Sequence, residues 1–262
     1  MRAERNERKA TAGRYQVPAL ARGMQILEFL AGRPDGASPV EIAAQLHLPK
    51  PSVFRMLVTL TDLGYLHRDG DGSVYRLSRK MLSLGYAAID ERGLIEKSMD
   101  VLRHLRDATG ETALIAVLAG REGVVLEQVP SPSAVKVLVQ IGHRFPLHTA
   151  APGKALLAVL PESERGDLVR SLEYTRFNRR TIVGPAAMHA ELARVRELGY
   201  AVDRGEELED IRCVAAAVLD HRGYPLAAIW IGGPASRLAD SALAGLGRIV
   251  AEHARRISGR FR

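Results

Sequence analysis

The chain is short of cysteine, short of aromatic residues and free of long apolar runs, and each shortage removes a class of protein. Cys213 is the one cysteine among 262 residues, so an internal disulfide is excluded. That usage suits a reducing compartment, and a cytoplasmic protein is expected. The longest apolar runs, over residues 113–119 and 213–219, fall well below the ~20 residues needed to cross a bilayer. No membrane partner is expected. The first residues, Met1-Arg2-Ala3-Glu4-Arg5-Asn6-Glu7-Arg8-Lys9, are charged and lack an apolar core, so they do not read as a secretory signal. Eight histidines are scattered without His-Glu-x-x-His or Cys-x-x-Cys spacing, and no metal or other cofactor is expected.

What is present is an ordinary globular composition, 47% hydrophobic and 26% charged, on a chain long enough for two domains. The formal charge is +7, and its placement is uneven. Residues 1–80 hold 13 Lys/Arg against 8 Asp/Glu, whereas residues 81–262 hold 24 against 22. Basic excess concentrated in one third of a chain is the electrostatic footprint of nucleic-acid binding.

That basic third carries a local pattern. Ser38-Pro39-Val40-Glu41 spells a capping box with proline at the first helical position. A short helix with Ile42, Ala43 and Leu46 on one face follows, and His47-Leu48-Pro49 interrupts it. A second helix starts near Lys50-Pro51-Ser52, turns Val53, Leu57, Leu60 and Leu63 inward, and stops at Gly64. Two β-prone runs, Tyr65-Leu66-His67-Arg68 and Ser73-Val74-Tyr75-Arg76-Leu77, flank Asp69-Gly70-Asp71-Gly72 and predict a hairpin. Upstream, Leu20, Met24, Leu27 and Leu30 mark a first helix. Three helices and a hairpin compose a winged helix-turn-helix over residues 17–78, preceded by a flexible arm over 1–16.

In such a module the second helix of the pair enters the DNA major groove. Lys50 and Arg55 suit phosphate or guanine, Ser52 suits phosphate or base, and Phe54 and Thr59 suit thymine methyls or sugars. Ser38, Arg68 and Arg76 complete the candidate DNA-contacting set.

A linker helix is expected over residues 79–93, and the pattern then changes. A helix ending at Gly110 precedes strands over 112–118, 124–129 and 135–141, the last alternating Val135, Val137 and Val139 with Lys136. Helices are expected over 154–160, from Pro161, over 188–198 and over 240–257, the last capped by Asp240 or Ser241. A final strand pair spans 212–219 and 225–232. Residues 94–262 therefore read as an α+β domain, an antiparallel sheet with flanking helices. Catalysis is not expected. Cys213 with His143, His148 or His189 is the one nucleophile and base combination, and Cys213 reads better as a buried strand residue.

Taken together the motifs resemble the IclR family of bacterial transcriptional regulators. The pieces are Ile42-Ala-Ala-Gln-Leu46 with Leu48-Pro49-Lys50, Leu57-x-x-Leu-x-x-Leu-Gly-Tyr-Leu66 and Tyr75-Arg76-Leu77. Downstream they are Phe145-Pro-Leu-His-Thr-Ala-Ala-Pro-Gly-Lys-Ala155, Arg196-Glu-Leu-Gly-Tyr-Ala-Val-Asp203, Ile211-Arg-Cys-Val-Ala-Ala216 and Gly233-Pro-Ala-Ser-Arg237. The resemblance spans residues 17–258. It implies a GAF-like effector-binding domain over 94–262, and a homodimer or homotetramer on a palindromic double-stranded DNA operator. It also implies a small-molecule effector held by Val137, Phe145, Ala151, Pro152, Gly153, Asp203, Ile211, Cys213, Trp230 and Gly232. Members that take small keto acids tend to carry serines where this chain has Trp230 and Gly232. An aromatic, sugar-derived or other carboxylic effector is expected instead, with Trp230 either filling or lining the pocket.

Overall fold

The computed structural model describes residues 17–69, 74–81, 84 and 93–261. Two compact units divide the chain, Met1–Glu91 and Arg92–Arg262. The arm expected over 1–16, the hairpin turn at 70–73 and most of the linker helix expected over 79–93 lie outside the described residues.

In the first unit, α1 (Pro18–Ala31), α2 (Pro39–Gln45) and α3 (Lys50–Asp62) precede the hairpin of β1 (Leu66–Arg68) and β2 (Tyr75–Leu77). The capping box forms: the Glu41 backbone N–H donates to Ser38 Oγ at 3.3 Å, and the Ser38 N–H donates to Glu41 Oε2 at 2.7 Å. Those two bonds satisfy donors that the start of α2 leaves without partners. His47 carries a left-handed φ of 53° between α2 and α3, where the chain reverses without glycine. Gly64, at φ 78°, ends α3 in a Schellman motif: Gly64 N–H donates to Thr61 O and Tyr65 N–H to Leu60 O, both at 2.8 Å. The strands pair antiparallel, Leu66 opposite Leu77, and Tyr75 also bridges to Ala37. Ile26, Leu27, Leu30, Ile42, Val53, Leu57, Leu66 and Tyr75 make the core. Leu20, Met24 and Leu63, expected inside, are 66%, 49% and 52% exposed. The buried face of α1 begins at Ile26, and Leu20, Met24 and Leu63 instead line a groove of about 440 Å³ between α1 and α3.

In the second unit, α4 (Met99–Thr109) leads into β3 (Thr112–Ala119), β4 (Glu122–Val129) and β5 (Arg144–Pro146). Then come α5 (Ala151–Val159), α6 (Glu162–Ser171), α7 (Pro185–Leu198), β6 (Ala201–Asp203), β7 (Ile211–Leu219), β8 (Pro225–Pro234) and α8 (Asp240–Ser258). The six strands form one antiparallel sheet in the order β5-β4-β3-β8-β7-β6. Alternation sorts its two faces. Leu114, Ala116, Ala215, Ala228 and Trp230 join α5, α6 and α7 in one core. Ala113, Ile115, Val214, Ile229 and Ile231 are buried as well, on the side of α4 and α8. The α+β class and the helix-turn-helix followed by an antiparallel sheet stand as expected.

Two further details differ from the expectation. Residues 135–141 form no strand. The Gln128 side-chain amide holds this segment, donating to Val139 O at 2.8 Å and accepting from Val139 N–H at 3.1 Å. The edge of β4 is instead taken by β5, with Gly123 opposite Phe145. At α8 the N-cap is Ala239, which offers no side-chain bond, and Asp240 lies inside the helix as a partner of Arg212, 3.3 Å away.

Candidate functional site

On α3, Lys50, Phe54, Arg55 and Thr59 are exposed and Ser52 is half-buried. The helix presents two faces. Phe54 and Val58 are 50% and 39% exposed, an apolar pair on a solvent-facing surface. Ser52, Arg55 and Thr59 line the groove shared with α1, beside Arg22. Thr59 Oγ1 already donates to Arg55 O at 2.9 Å, so its methyl and its lone pairs are what it has to offer. Ser38 belongs to the cap of α2, where its hydroxyl donates to Glu41 Oε2 at 2.8 Å. Those bonds from Ser38 hold the Glu41 carboxyl below its ordinary pKa.

On the hairpin, the Arg68 guanidinium lies 5.6 Å from the centre of the Tyr75 ring. Arg76 pairs with Asp69 at 3.0 Å, both side chains more than a third exposed. An exposed pair of this kind is worth only about 0–1 kcal/mol, so it holds Arg76 weakly.

In the second unit, pairing brings four of the candidate effector residues onto neighbouring positions of the sheet. Asp203 on β6 stands opposite Cys213 on β7, and Cys213 stands opposite Gly232 on β8. Ile211 lies two residues from Cys213 on the same face of β7. A Cβ built on Gly232 would be 3.5 Å from Cys213 Sγ, 3.8 Å from Trp230 Nε1 and 3.9 Å from Val137 Cγ1. Val137, Cys213, Trp230 and Gly232 therefore converge. Trp230 is only 4% exposed and belongs to the core, meeting Phe145 edge-on with ring centres 6.0 Å apart. The indole body fills space, and its N–H edge faces the convergence point.

Ala151, Pro152 and Gly153 form the buried first turn of α5. A side chain at Gly153 would meet Leu147 backbone at 2.6 Å, so glycine is what allows this turn to sit against the chain before it. Pro152 has no N–H, leaving Ala151 and Gly153 as the first-turn donors. Asp203 is committed in part: its Oδ1 accepts from the N–H groups of Gly205 and Glu206 at 2.9 and 2.8 Å. Burial pushes the Asp203 carboxyl up from its ordinary range.

One feature gave little signal in the sequence. Lys154, which enters the sequence analysis only within the Phe145–Ala155 motif, is wholly buried. Its ammonium donates to Val202 O at 2.6 Å, to Glu206 Oε1, and to Glu191 Oε1 at 3.4 Å. A lysine on an apolar helix face with no acidic neighbour at helical spacing reveals no such cluster, because its partners lie 37 and 52 residues away.

The thiol-nucleophile alternative has no geometry behind it. Burial raises the Cys213 thiol well above its ordinary pKa, which suppresses the thiolate. His148 Nε2 is 3.0 Å from Thr175 O, and its ring packs against Tyr174 and Phe177. His143 and His189 are exposed. Among the described residues no group of three His, Cys, Asp or Glu side chains is arranged for a metal ion, and no helix is long and apolar enough to cross a membrane.

A helix-turn-helix with a wing, followed by a sheet domain with convergent polar and aromatic groups, defines a ligand-responsive DNA-binding regulator. The chain belongs to the IclR family: residues 19–70 match the IclR helix-turn-helix domain, and residues 86–259 match the bacterial transcriptional regulator IclR C-terminal domain. It is 34% identical over 240 residues to the HTH-type transcriptional repressor AllR of Klebsiella pneumoniae, covering 92% of this chain and 88% of that one. Among solved structures it is similar to the Thermotoga maritima IclR, with a TM-score of 0.72, 27% identity, and coverage of 94% and 99%. An IclR homolog from Microbacterium hydrocarbonoxydans, complexed with 4-hydroxybenzoate, shares the fold at a TM-score of 0.79 and 24% identity, with 93% and 99% covered.

Proposed function

We propose that the protein is a repressor of a catabolic operon, binding a palindromic operator as a homodimer or homotetramer and released by a small aromatic carboxylic acid. The carrying observation is the convergence of Val137, Cys213 and the Trp230 N–H edge on Gly232, with Phe145 packed behind the indole. A Cβ at Gly232 would already touch all three groups, so the bare glycine keeps this point open to the edge of a ligand. The Trp230 N–H and the first-turn donors of Ala151 and Gly153 suit the polar ends of such a ligand. The 4-hydroxybenzoate complex of the Microbacterium hydrocarbonoxydans homolog and the repressor name of the Klebsiella pneumoniae relative support this reading. Lys50, Ser52, Phe54 and Arg55 would read the operator, with Thr59, Ser38, Arg68 and Arg76 at its flanks.

The test is a panel of hydroxybenzoates, sugar acids and keto acids, scored by thermal shift and by release from operator DNA. A hydroxybenzoate acting in both assays at lower concentration than any keto acid supports the proposal. A keto acid acting alone overturns the aromatic assignment. No response to any compound favours a domain that serves oligomerisation only.

A further inference from the structure

A polar cavity of about 390 Å³ shares no lining residue with the convergence point just described and is lined by Arg180, Ile182, Glu191, Arg204, Glu206, Arg212 and Asp240. Two atoms of its lining are buried and lack a hydrogen-bond partner among the described residues: Glu206 Oε2, an acceptor, and Arg212 Nε, a donor. Burying such groups unpaired is costly, and native structures seldom do so without a reason.

Both side chains are held in place. Glu206 is 6% exposed. Its N–H donates to Asp203 Oδ1 at 2.8 Å, its carbonyl accepts from Thr181 Oγ1 at 2.7 Å, and its Oε1 takes the Lys154 ammonium. Arg212 Nη1 donates to Leu238 O at 2.7 Å and faces Asp240 at 3.3 Å. Arg180 donates to the carbonyls of Arg204 and Glu209 at 3.2 and 3.4 Å. Among the described residues Arg204 keeps only a long contact to Asp240, 3.8 Å. Three guanidinium groups and three carboxylates thus line the space, and of these carboxylates Glu206 has a buried oxygen to spare.

A ligand that fits must do two opposite things. It must present oxygens to the arginines, and it must also donate a hydrogen bond to Glu206 Oε2. We infer that this cavity is a site for a small oxyanion that carries its own proton, and hydrogen phosphate fits it: its P–OH donates to Glu206 Oε2 while its other oxygens accept from Arg212 Nε and from Arg204 and Arg180. Sulfate has the same charge and shape near pH 8 but no proton to donate. A phosphate monoester, with a second pKa of about 6, has also lost its proton there. The site therefore selects free phosphate over both.

The groups facing Glu206 fix the pH for the test. Lys154 on α5, Glu191 on α7 and Asp203 on β6 bear on it, with Arg180, Arg204, Arg212 and Asp240 around the same cavity. Burial outweighs Lys154 and raises the Glu206 carboxyl to about 7. At pH 8 it is mainly ionised and must accept. Lys154 directly follows Gly153, so the carboxylate that meets the anion also anchors the helix carrying the proposed effector turn.

The experiment is calorimetric titration of the full chain at pH 8 with sodium phosphate, sodium sulfate and phenyl phosphate at matched ionic strength. Phosphate should bind saturably and at least about tenfold more tightly than the other two, as expected where a buried polar group would otherwise stay unpaired. In Glu206→Gln the side-chain amide can donate, so sulfate should bind and the preference should collapse. If that variant does not fold, the wild-type comparison stands alone. Absence of phosphate binding, equal binding of phosphate and sulfate, or a preference that survives in Glu206→Gln would each overturn the inference. Phenyl phosphate binding as tightly as phosphate would overturn its restriction to the free ion.

Discussion

Glu111 grips Arg237 through both carboxylate oxygens, Oε1 to Nε at 2.6 Å and Oε2 to Nη2 at 2.7 Å, across 126 residues of sequence. Glu111 is 3% exposed, and the same guanidinium also donates to Val135 O at 3.0 Å. Cutting the pair strands a buried carboxylate. Arg237→Ala should therefore destabilise the second unit by roughly 3–5 kcal/mol, far above the ~0–1 kcal/mol of an exposed pair. Gly233→Ala should also destabilise, because its Cβ would lie 2.5 Å from Glu111 Oε2. Denaturant melts of both variants check this, and an Arg237→Ala loss under about 1 kcal/mol would place the pair among the weak ones.

Arg55→Ala should weaken operator binding in gel-shift titrations. If Arg55 contacts phosphate, the loss should be uniform across operator sequences and the salt slope should drop by about one unit. If it reads a base, one operator position should lose its preference, at about 1–3 kcal/mol. Unchanged affinity would remove Arg55 from the interface.

Trp230 calls for a mild substitution, since truncating a buried tryptophan costs about 3–5 kcal/mol by itself. Trp230→Phe retains a ring against Phe145 and deletes the N–H. Effector-driven release should shift to higher ligand concentration while ligand-free operator binding stays as in the wild type. Superimposed release curves would show that the indole N–H plays no part.

Glu206 sets a pH dependence of stability with a definite sign. Its ordinary pKa is 4.5, and in the folded chain it rises to about 7. Between these values the folded state holds more protons than the unfolded one, so stability falls as pH rises from about 4.5 to 7 and levels off above. Asp203, also raised by burial, adds to the same trend. The melting temperature of the wild type should fall across that window relative to Glu206→Gln. Parallel curves for the two would assign the trend to other groups.

Cys213, with its thiol held protonated by burial, should react slowly with iodoacetamide at pH 7.5 in the native state and quickly once unfolded. Rapid native labelling would revive the nucleophile reading.

The first unit was legible because its signals are local. Ser38 and Glu41, Gly64, and the alternation in Tyr75-Arg76-Leu77 each dictate structure within a few residues. Residues 135–141 show the limit of this kind of reading. Alternating valines report an extended backbone, and a side-chain amide can hold that backbone as a neighbouring strand would. Glu206 and Arg212 were invisible for another reason. Their surroundings depend on how β6, β7, α7 and α8 come together, and no spacing in the sequence encodes that.

The hold of Gln128 on Val139 has a kinetic consequence. Strand edges open cooperatively, several ladder bonds at a time, but the segment around Val137 is fastened by side chains, by the two bonds of the Gln128 amide at Val139 and by Arg237 at Val135. Rotating those two side chains loosens the segment and leaves the sheet intact. The time a ligand stays beside Val137 can thus be short or long without any change in how firmly the domain is folded.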